Sequence, residues 1–216
     1  MSNATLSIIT IAIIATPLIL GITIHEAAHA YAAYKCGDKT AQQLGRVSLN
    51  PFKHIDLIGT VIVPLMLVLT TGFIFGWAKP VPVNMYNLKN PRRDMAIVAV
   101  AGPLANLAML IIWAIIRFKF SSPVSSSESL QIVNVMAQYG MLVNSILMIL
   151  NMLPIPPLDG SKILSSALPH KYAAMYDKLS PYGMYILLAL ILTHAISFIL
   201  QHSTQFIDQA LRILLH

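Results

Sequence analysis

Charge is what this chain has least of. Of its 216 residues 10% are charged, with 8 acidic side chains against 14 lysines and arginines, while 56% are hydrophobic. A soluble domain carries about 25% charged residues, so the shortage excludes an ordinary water-soluble fold and points to a membrane protein whose surroundings are the lipid bilayer. Cysteine is limited to Cys36, which excludes an internal disulfide and leaves the redox compartment open. A basic stripe or arm is also missing. The net charge of +6 comes from lysines and arginines in short connections between apolar runs, a mark of membrane topology, and no nucleic acid is expected as a partner. The chain has no internal repeat and no polar linker long enough to separate a pair of domains. One membrane domain over residues 1–202 is expected, followed by an amphipathic C-terminal helix over 203–216. The start MSNATLSIIT lacks the positive charge of a secretory leader and reads as a retained span.

A spanning helix needs about 20 mostly apolar residues. Five stretches free of Asp, Glu, Lys and Arg meet that length: 4–24, 57–78, 95–116, 129–158 and 179–207. They predict an all-α polytopic membrane protein with four to six transmembrane helices. Cations cluster at Lys35 to Lys53, Lys79 to Arg93 and Lys162 to Lys178, and such clusters mark cytoplasmic connections. If the first two clusters share a face, the 57–78 run enters and leaves on that face. A re-entrant or extended hairpin around 57–90 is therefore expected, with an ordinary span as the alternative. Pro64 and the TTG at 70–72 offer break points, and the prolines of FGWAKPVPVN, residues 75–84, forbid helix and leave an extended, edge-like piece. Helices over 95–116 and 129–153 follow, then a proline run, a short helix from near Leu158 and a last span over 180–202. In the tail, Phe206, Ile207, Ala210, Leu211 and Leu214 share one helical side, which suggests an interfacial helix.

Glutamate is rarer still, and its placement is informative. The chain has two, Glu26 and Glu128, and Glu26 lies in GITIHEAAHAYAAY, residues 21–34, between His25 and His29. Residues four apart on a helix point the same way, so the two imidazoles can bind one metal while the glutamate reaches a water beside it. Random placement of this composition gives roughly 0.002 such H-E-x-x-H patterns. A bland alternative is an ion pair of Glu26 with a histidine. With Lys35 at the interface, a rise of about 1.5 Å per residue puts His29 about 9 Å and His25 about 15 Å below it, near the cytoplasmic face.

A catalytic zinc usually has three protein ligands and an open position. Asp159, in NMLPIPPLDG at 151–160, is one candidate for the third, although it serves equally well as an N-cap for the helix that follows. His54, in NPFKHID, is the rival. Asn106, in AGPLAN, and Asn151 sit in apolar helices, where they either bond neighbouring helices or hold substrate backbone and an oxyanion. Gly102 and Ala105 allow close helix packing.

HEAAH at 25–29, AGPLAN at 101–106 and NMLPIPPLDG at 151–160 together resemble the site-2 protease family of intramembrane zinc metalloproteases, in a compact form without a PDZ or CBS domain. The resemblance implies one Zn2+ per chain held by His25, His29 and Asp159, with Glu26 as general acid/base and Asn106 and Asn151 in the substrate and oxyanion surroundings. It also implies membrane protein substrates cleaved within a transmembrane helix, in a multi-pass protein of the cell membrane whose active site lies near the cytoplasmic face. Val81 and Val83 are the expected substrate-pairing positions, because an extended segment can take an unwound substrate as an added strand. The substrate, its trigger and the oligomeric state are not encoded in these motifs.

Overall fold

The computed structural model describes residues 3–62, 66, 69, 79–120 and 128–215. The heart of the expected hairpin, residues 63–78, lies almost wholly outside the described residues, and with it the choice between a span and a re-entrant segment. Among the described residues the regular structure is helical and no strand occurs. The long elements are α1 (Asn3–Lys35), α2 (Pro91–Lys119) and α3 (Glu128–Met152). Shorter ones follow: α4 (Asp159–Ala167), α5 (His170–Asp177), α6 (Gly183–Leu192) and α7 (Ala195–Leu215). The chain is a multi-pass, all-helical membrane protein. α1, α2 and α3 are each long and apolar enough to cross a bilayer, and the bent run from His170 to Leu211 makes a fourth crossing if it is one span.

Local sequence sets the ends of these helices. α1 stops at Gly37, whose φ of 111° suits glycine, and the Asp38 N–H closes the turn on the Ala33 carbonyl at 2.9 Å; this is the glycine C-cap expected where a helix must end. α2 starts at Pro91, where the missing N–H costs nothing, and the Asp94 carboxylate accepts from the Asn90 N–H at 2.7 Å. α2 packs along both α1 and α3, and α1 along α3, forming a three-helix unit to which α4 is added against α2.

Two expectations need correction. The last span over 180–202 is not one helix. It breaks between Leu192 and Ala195 with a bend of 73°, because His194 adopts a φ of 58° and the Thr193 hydroxyl donates back to the Ala189 carbonyl at 2.9 Å. Histidine is among the residues that enter the left-handed region with less strain, and a threonine hydroxyl competes with helical bonding. The residues of the amphipathic tail form the second half of α7, which begins at Ala195. Ile207 and Leu211 of α7 pack on the buried cluster Leu110, Trp113, Ala114, Ala137 and Met141, and Asp208 pairs with Arg117 of α2 at 3.6 Å. This half of α7 is docked on the bundle, so its amphipathic pattern reflects protein contact.

Candidate metal centre

Two elements bring one residue set together. His25 and His29 lie one turn apart on α1, both buried, and Asp159 is the buried first residue of α4. Asp159 does not act as the N-cap. Leu158 occupies that position without a side-chain cap bond, and the Asp159 carboxylate turns to the histidines instead. Its Oδ2 lies 3.2 Å from His25 Nε2 and 3.1 Å from His29 Nε2, and the two Nε2 atoms are 3.0 Å apart.

The far side of each imidazole fixes its tautomer. His29 Nδ1 lies 2.7 Å from the Val98 carbonyl and His25 Nδ1 lies 2.6 Å from Asn106 Oδ1. Both partners accept, so both Nδ1 atoms carry a proton, and in the neutral ring each Nε2 then presents its lone pair. Two imidazole nitrogens and a carboxylate oxygen therefore converge on one point. A cation satisfies such a set. Zinc bound to N and O ligands at about 2.0–2.1 Å in tetrahedral geometry separates those ligand atoms by about 3.3–3.4 Å, close to the separations of 3.0, 3.1 and 3.2 Å found here. The donor types and spacing fit zinc, with one vertex left open. Among the described residues, His25, His29 and Asp159 form the group able to hold a metal ion.

Small residues make the convergence possible. Gly102 of α2 faces the histidine pair: a Cβ there would lie 2.6 Å from His25 Cε1 and collide with the His29 ring. Gly160 lets α4 abut the end of α3, since a Cβ there would run into the Met152 and Leu153 carbonyls. The proline turn between them is pinned by the Tyr176 hydroxyl, which donates to the Pro154 carbonyl at 2.7 Å. Arg92 of α2 donates to the carbonyls of Ser165 and Leu168 and ties down the far end of α4. Asp159 is thus held from both ends of its helix.

Glu26 is half-buried beside the pair and accepts from the Val81 N–H at 3.3 Å. Residues 79–84 form neither helix nor turn. They are anchored again at Asn84, whose N–H donates to Asp38 Oδ2 at 2.6 Å. Asp38 also accepts from the Thr40 N–H at 3.0 Å and hydroxyl at 2.5 Å, and from the Asn87 amide at 3.1 Å. Burial alone would raise its pKa, but these hydrogen bonds outweigh it and hold the carboxyl below the usual range.

The remaining candidates are placed differently. His54 is buried but stands apart from the triad: its Nε2 donates to the Ser48 carbonyl at 2.8 Å, and its backbone carbonyl accepts from the Lys79 N–H at 3.0 Å. It links the 48–54 stretch to Lys79, at the start of the 79–84 segment. Asn106 contacts His25 directly. Asn151 turns back on its own helix and donates to the Leu147 carbonyl at 3.0 Å. Val81 and Val83 are half-buried, and Val81 touches Glu26. The sequence reading missed Asn144, which is fully buried and bonded to Asn106 at 2.9 Å. It also passed over Lys162, whose Nζ lies 3.7 Å from Asp159 Oδ1. A buried amide among apolar helix residues was the available signal for Asn144.

Comparison with known proteins gives the chain a family. The model of "Peptidase family M50" matches residues 118–194, a stretch that includes Asp159. YwhC of Bacillus subtilis, named as a zinc metalloprotease, is 37% identical over 186 residues, covering 85% of this chain and 81% of that protein. Rip2 of Mycolicibacterium smegmatis, named likewise, is 28% identical over 187 residues, covering 83% of this chain and 66% of that protein. Rip2 of Mycobacterium tuberculosis H37Rv is 25% identical over 174 residues, covering 80% of this chain and 62% of that protein. No solved structure gives a significant match. On these matches the chain belongs to peptidase family M50, the site-2 protease family, and is a metallopeptidase of the membrane.

Proposed function

We propose that this chain is a zinc-dependent intramembrane endopeptidase that cleaves membrane proteins within a transmembrane segment. His25, His29 and Asp159 hold one Zn2+ per chain, and Glu26 is the general acid/base. The single observation that carries this reading is the convergence of two imidazole nitrogens and a carboxylate oxygen at 3.0–3.2 Å inside an apolar bundle. The metal named for the relatives is zinc. Zinc bound there supplies a Lewis acid for the scissile carbonyl and acidifies the attacking water.

The protein's own groups do the rest. Glu26 takes the proton of the attacking water and returns it to the leaving nitrogen, so that its charge is restored after each turnover. Val81 N–H steadies the Glu26 carboxylate. A transmembrane substrate hides its peptide bonds in its own helix and must unwind locally. Residues 79–84 are suited to receive the unwound strand: in extended backbone successive residues face opposite edges, Pro80 and Pro82 offer no N–H on one edge, and Asn84 N–H is already given to Asp38. Val81 and Val83 share the other edge, where Glu26 holds the Val81 N–H and the pairing falls to the Val81 carbonyl and Val83, so a paired substrate is drawn along the catalytic side. Asn151, just before the proline turn that leads to Asp159, belongs to the substrate surroundings, and Asn106 reaches the chemistry through His25. The basic residues Lys35, Lys89, Arg92 and Arg93 gather at the same ends of α1 and α2 as the site, which supports an active site near the cytoplasmic face of the cell membrane.

The test is Glu26→Gln, reconstituted in liposomes with a generic transmembrane-helix substrate. Zinc content equal to wild type with cleavage abolished is the expected result. Retained cleavage would rule out the role given to Glu26. Val83→Pro is expected to slow cleavage with zinc still bound, as is Val81→Pro, which also removes the Glu26 donor. Unchanged turnover in both would reject strand pairing.

A further inference from the structure

A chain of amides runs inward from the metal site. Asn106 Nδ2 donates to Asn144 Oδ1 at 2.9 Å and to the Gly21 carbonyl at 3.2 Å, and Asn144 Nδ2 in turn donates to the Gly140 carbonyl at 2.9 Å. Asn106 and Asn144 are both fully buried. The direction of the whole chain is set at its far end, because a helix carbonyl such as that of Gly140 accepts and cannot donate. Asn144 must therefore turn its Nδ2 to Gly140 and its Oδ1 to Asn106, which leaves Asn106 only one orientation: Nδ2 toward Asn144 and Oδ1 toward His25. Were the Asn106 amide to flip, an N–H donor would face the Nδ1–H of His25 and the 2.6 Å bond would be lost. Close approach of α1 makes room for this, since a Cβ at Gly21 would press on Asn144 Oδ1 at 3.1 Å.

We infer that Asn144 is a positioning residue of the metal centre: it locks the Asn106 amide so that His25 keeps its proton on Nδ1 and offers Nε2 to the metal. It touches neither the metal nor the substrate. Outer partners of metal-bound histidines fix ring orientation and tautomer, and here that job passes through one amide to a second, on a different helix. Three helices are coupled in this way, α1 through His25 and Gly21, α2 through Asn106 and α3 through Asn144. The inference rests on the metal reading of His25, His29 and Asp159.

The experiment uses the full chain in liposomes with three variants. Asn144→Leu and Asn144→Ala remove both hydrogen bonds and differ in packing. Asn144→Asp, with a neutral buried carboxyl, keeps an acceptor toward Asn106 and a donor toward Gly140. Zinc affinity is measured by chelator competition. The ring N–H of His25 in the zinc-loaded, 15N-histidine-labelled protein is followed by NMR, assigned by its absence in His25→Gln. Loss of an outer partner weakens metal binding by about 10–100-fold. Because Gly21 still holds Asn106, a loss of about tenfold is expected for Leu and Ala, with the downfield, slowly exchanging Nδ1–H signal of His25 broadened or gone, and near wild-type behaviour is expected for Asp. Unchanged affinity and signal in Leu and Ala would overturn the inference. An equal affinity loss in all three variants with the His25 signal unmoved would also overturn it, since that is the pattern of a packing role alone. Failure of the wild-type chain to bind zinc would instead refute the metal reading itself.

Discussion

One turn of helix separates two interiors built from the same pair of helices. Asn106 and Leu110 of α2 are equally buried, yet Asn106 faces a network in which its amide bonds three partners, while Leu110 belongs to an apolar cluster with Trp113, Ala114, Ala137 and Met141. At the polar end, direction matters: donors and acceptors are matched in sequence, and glycines admit the rings. At the apolar end, volume matters. Trp113 fills the space over Gly140, where a Cβ would lie 2.5 Å from the indole Cγ, and its Nε1–H is buried with no partner among the described residues. The lesson is that the polar end is specified by hydrogen bonds that cannot be exchanged, while the apolar end supplies packing that tolerates an unmet donor.

Substitutions should separate the two ends. Gly102→Val places atoms where the imidazoles stand; zinc content of the purified protein should fall below about one tenth of wild type, with cleavage lost, since a side chain cannot be accommodated without moving a ligand. Next, Asn106→Leu fills the same space without an acceptor for His25. Zinc affinity should drop by about 10–100-fold by chelator competition, although the helices remain packed.

The third prediction concerns a residue outside the candidate spanning helices. Asp38 holds residues 79–84 by its bond to Asn84, and its pKa is lowered in the folded protein. A lowered carboxyl contributes stability that is complete above the unfolded value of about 3.9 and is lost as pH falls through the folded value. Asp38→Asn should therefore lower Tm at pH 7, and the gap to wild type should shrink below about pH 4; a gap constant from pH 7 to 3 would contradict the assignment. The smallest effect is expected at the apolar end. Trp113→Phe removes an unmet donor that costs about 1–3 kcal/mol and loses some packing, so the two largely cancel and Tm should move by a few degrees at most, with zinc affinity unchanged.

How much of this was legible in the sequence follows the same division. The three long helices were visible because runs without charge define them, and the histidine pair because residues four apart on a helix share a face. The short helix after the prolines was visible through its glycine and the prolines before it, but whether Asp159 capped that helix or faced the histidines depends on tertiary contact, which sequence spacing does not carry. Asn144 was not distinguished from other amides in apolar helices: nothing local separates an asparagine that bonds a neighbouring helix from one that orders a metal ligand two contacts away. The bend at Thr193 and His194 was hidden for a related reason. Neither residue is a helix breaker by composition, and the break depends on a left-handed φ at a histidine.

The central claim is that His25, His29 and Asp159 hold one zinc ion. Its most direct test is metal analysis combined with zinc X-ray absorption on the purified full chain, wild type beside His25→Ala, His29→Ala and Asp159→Ala. The account predicts about one zinc per chain in wild type, bound by nitrogen and oxygen at about 2.0–2.1 Å without sulfur, and a loss of most of that zinc in each variant. A full complement of zinc retained in all three variants, or a sulfur ligand in the wild-type spectrum, would contradict it.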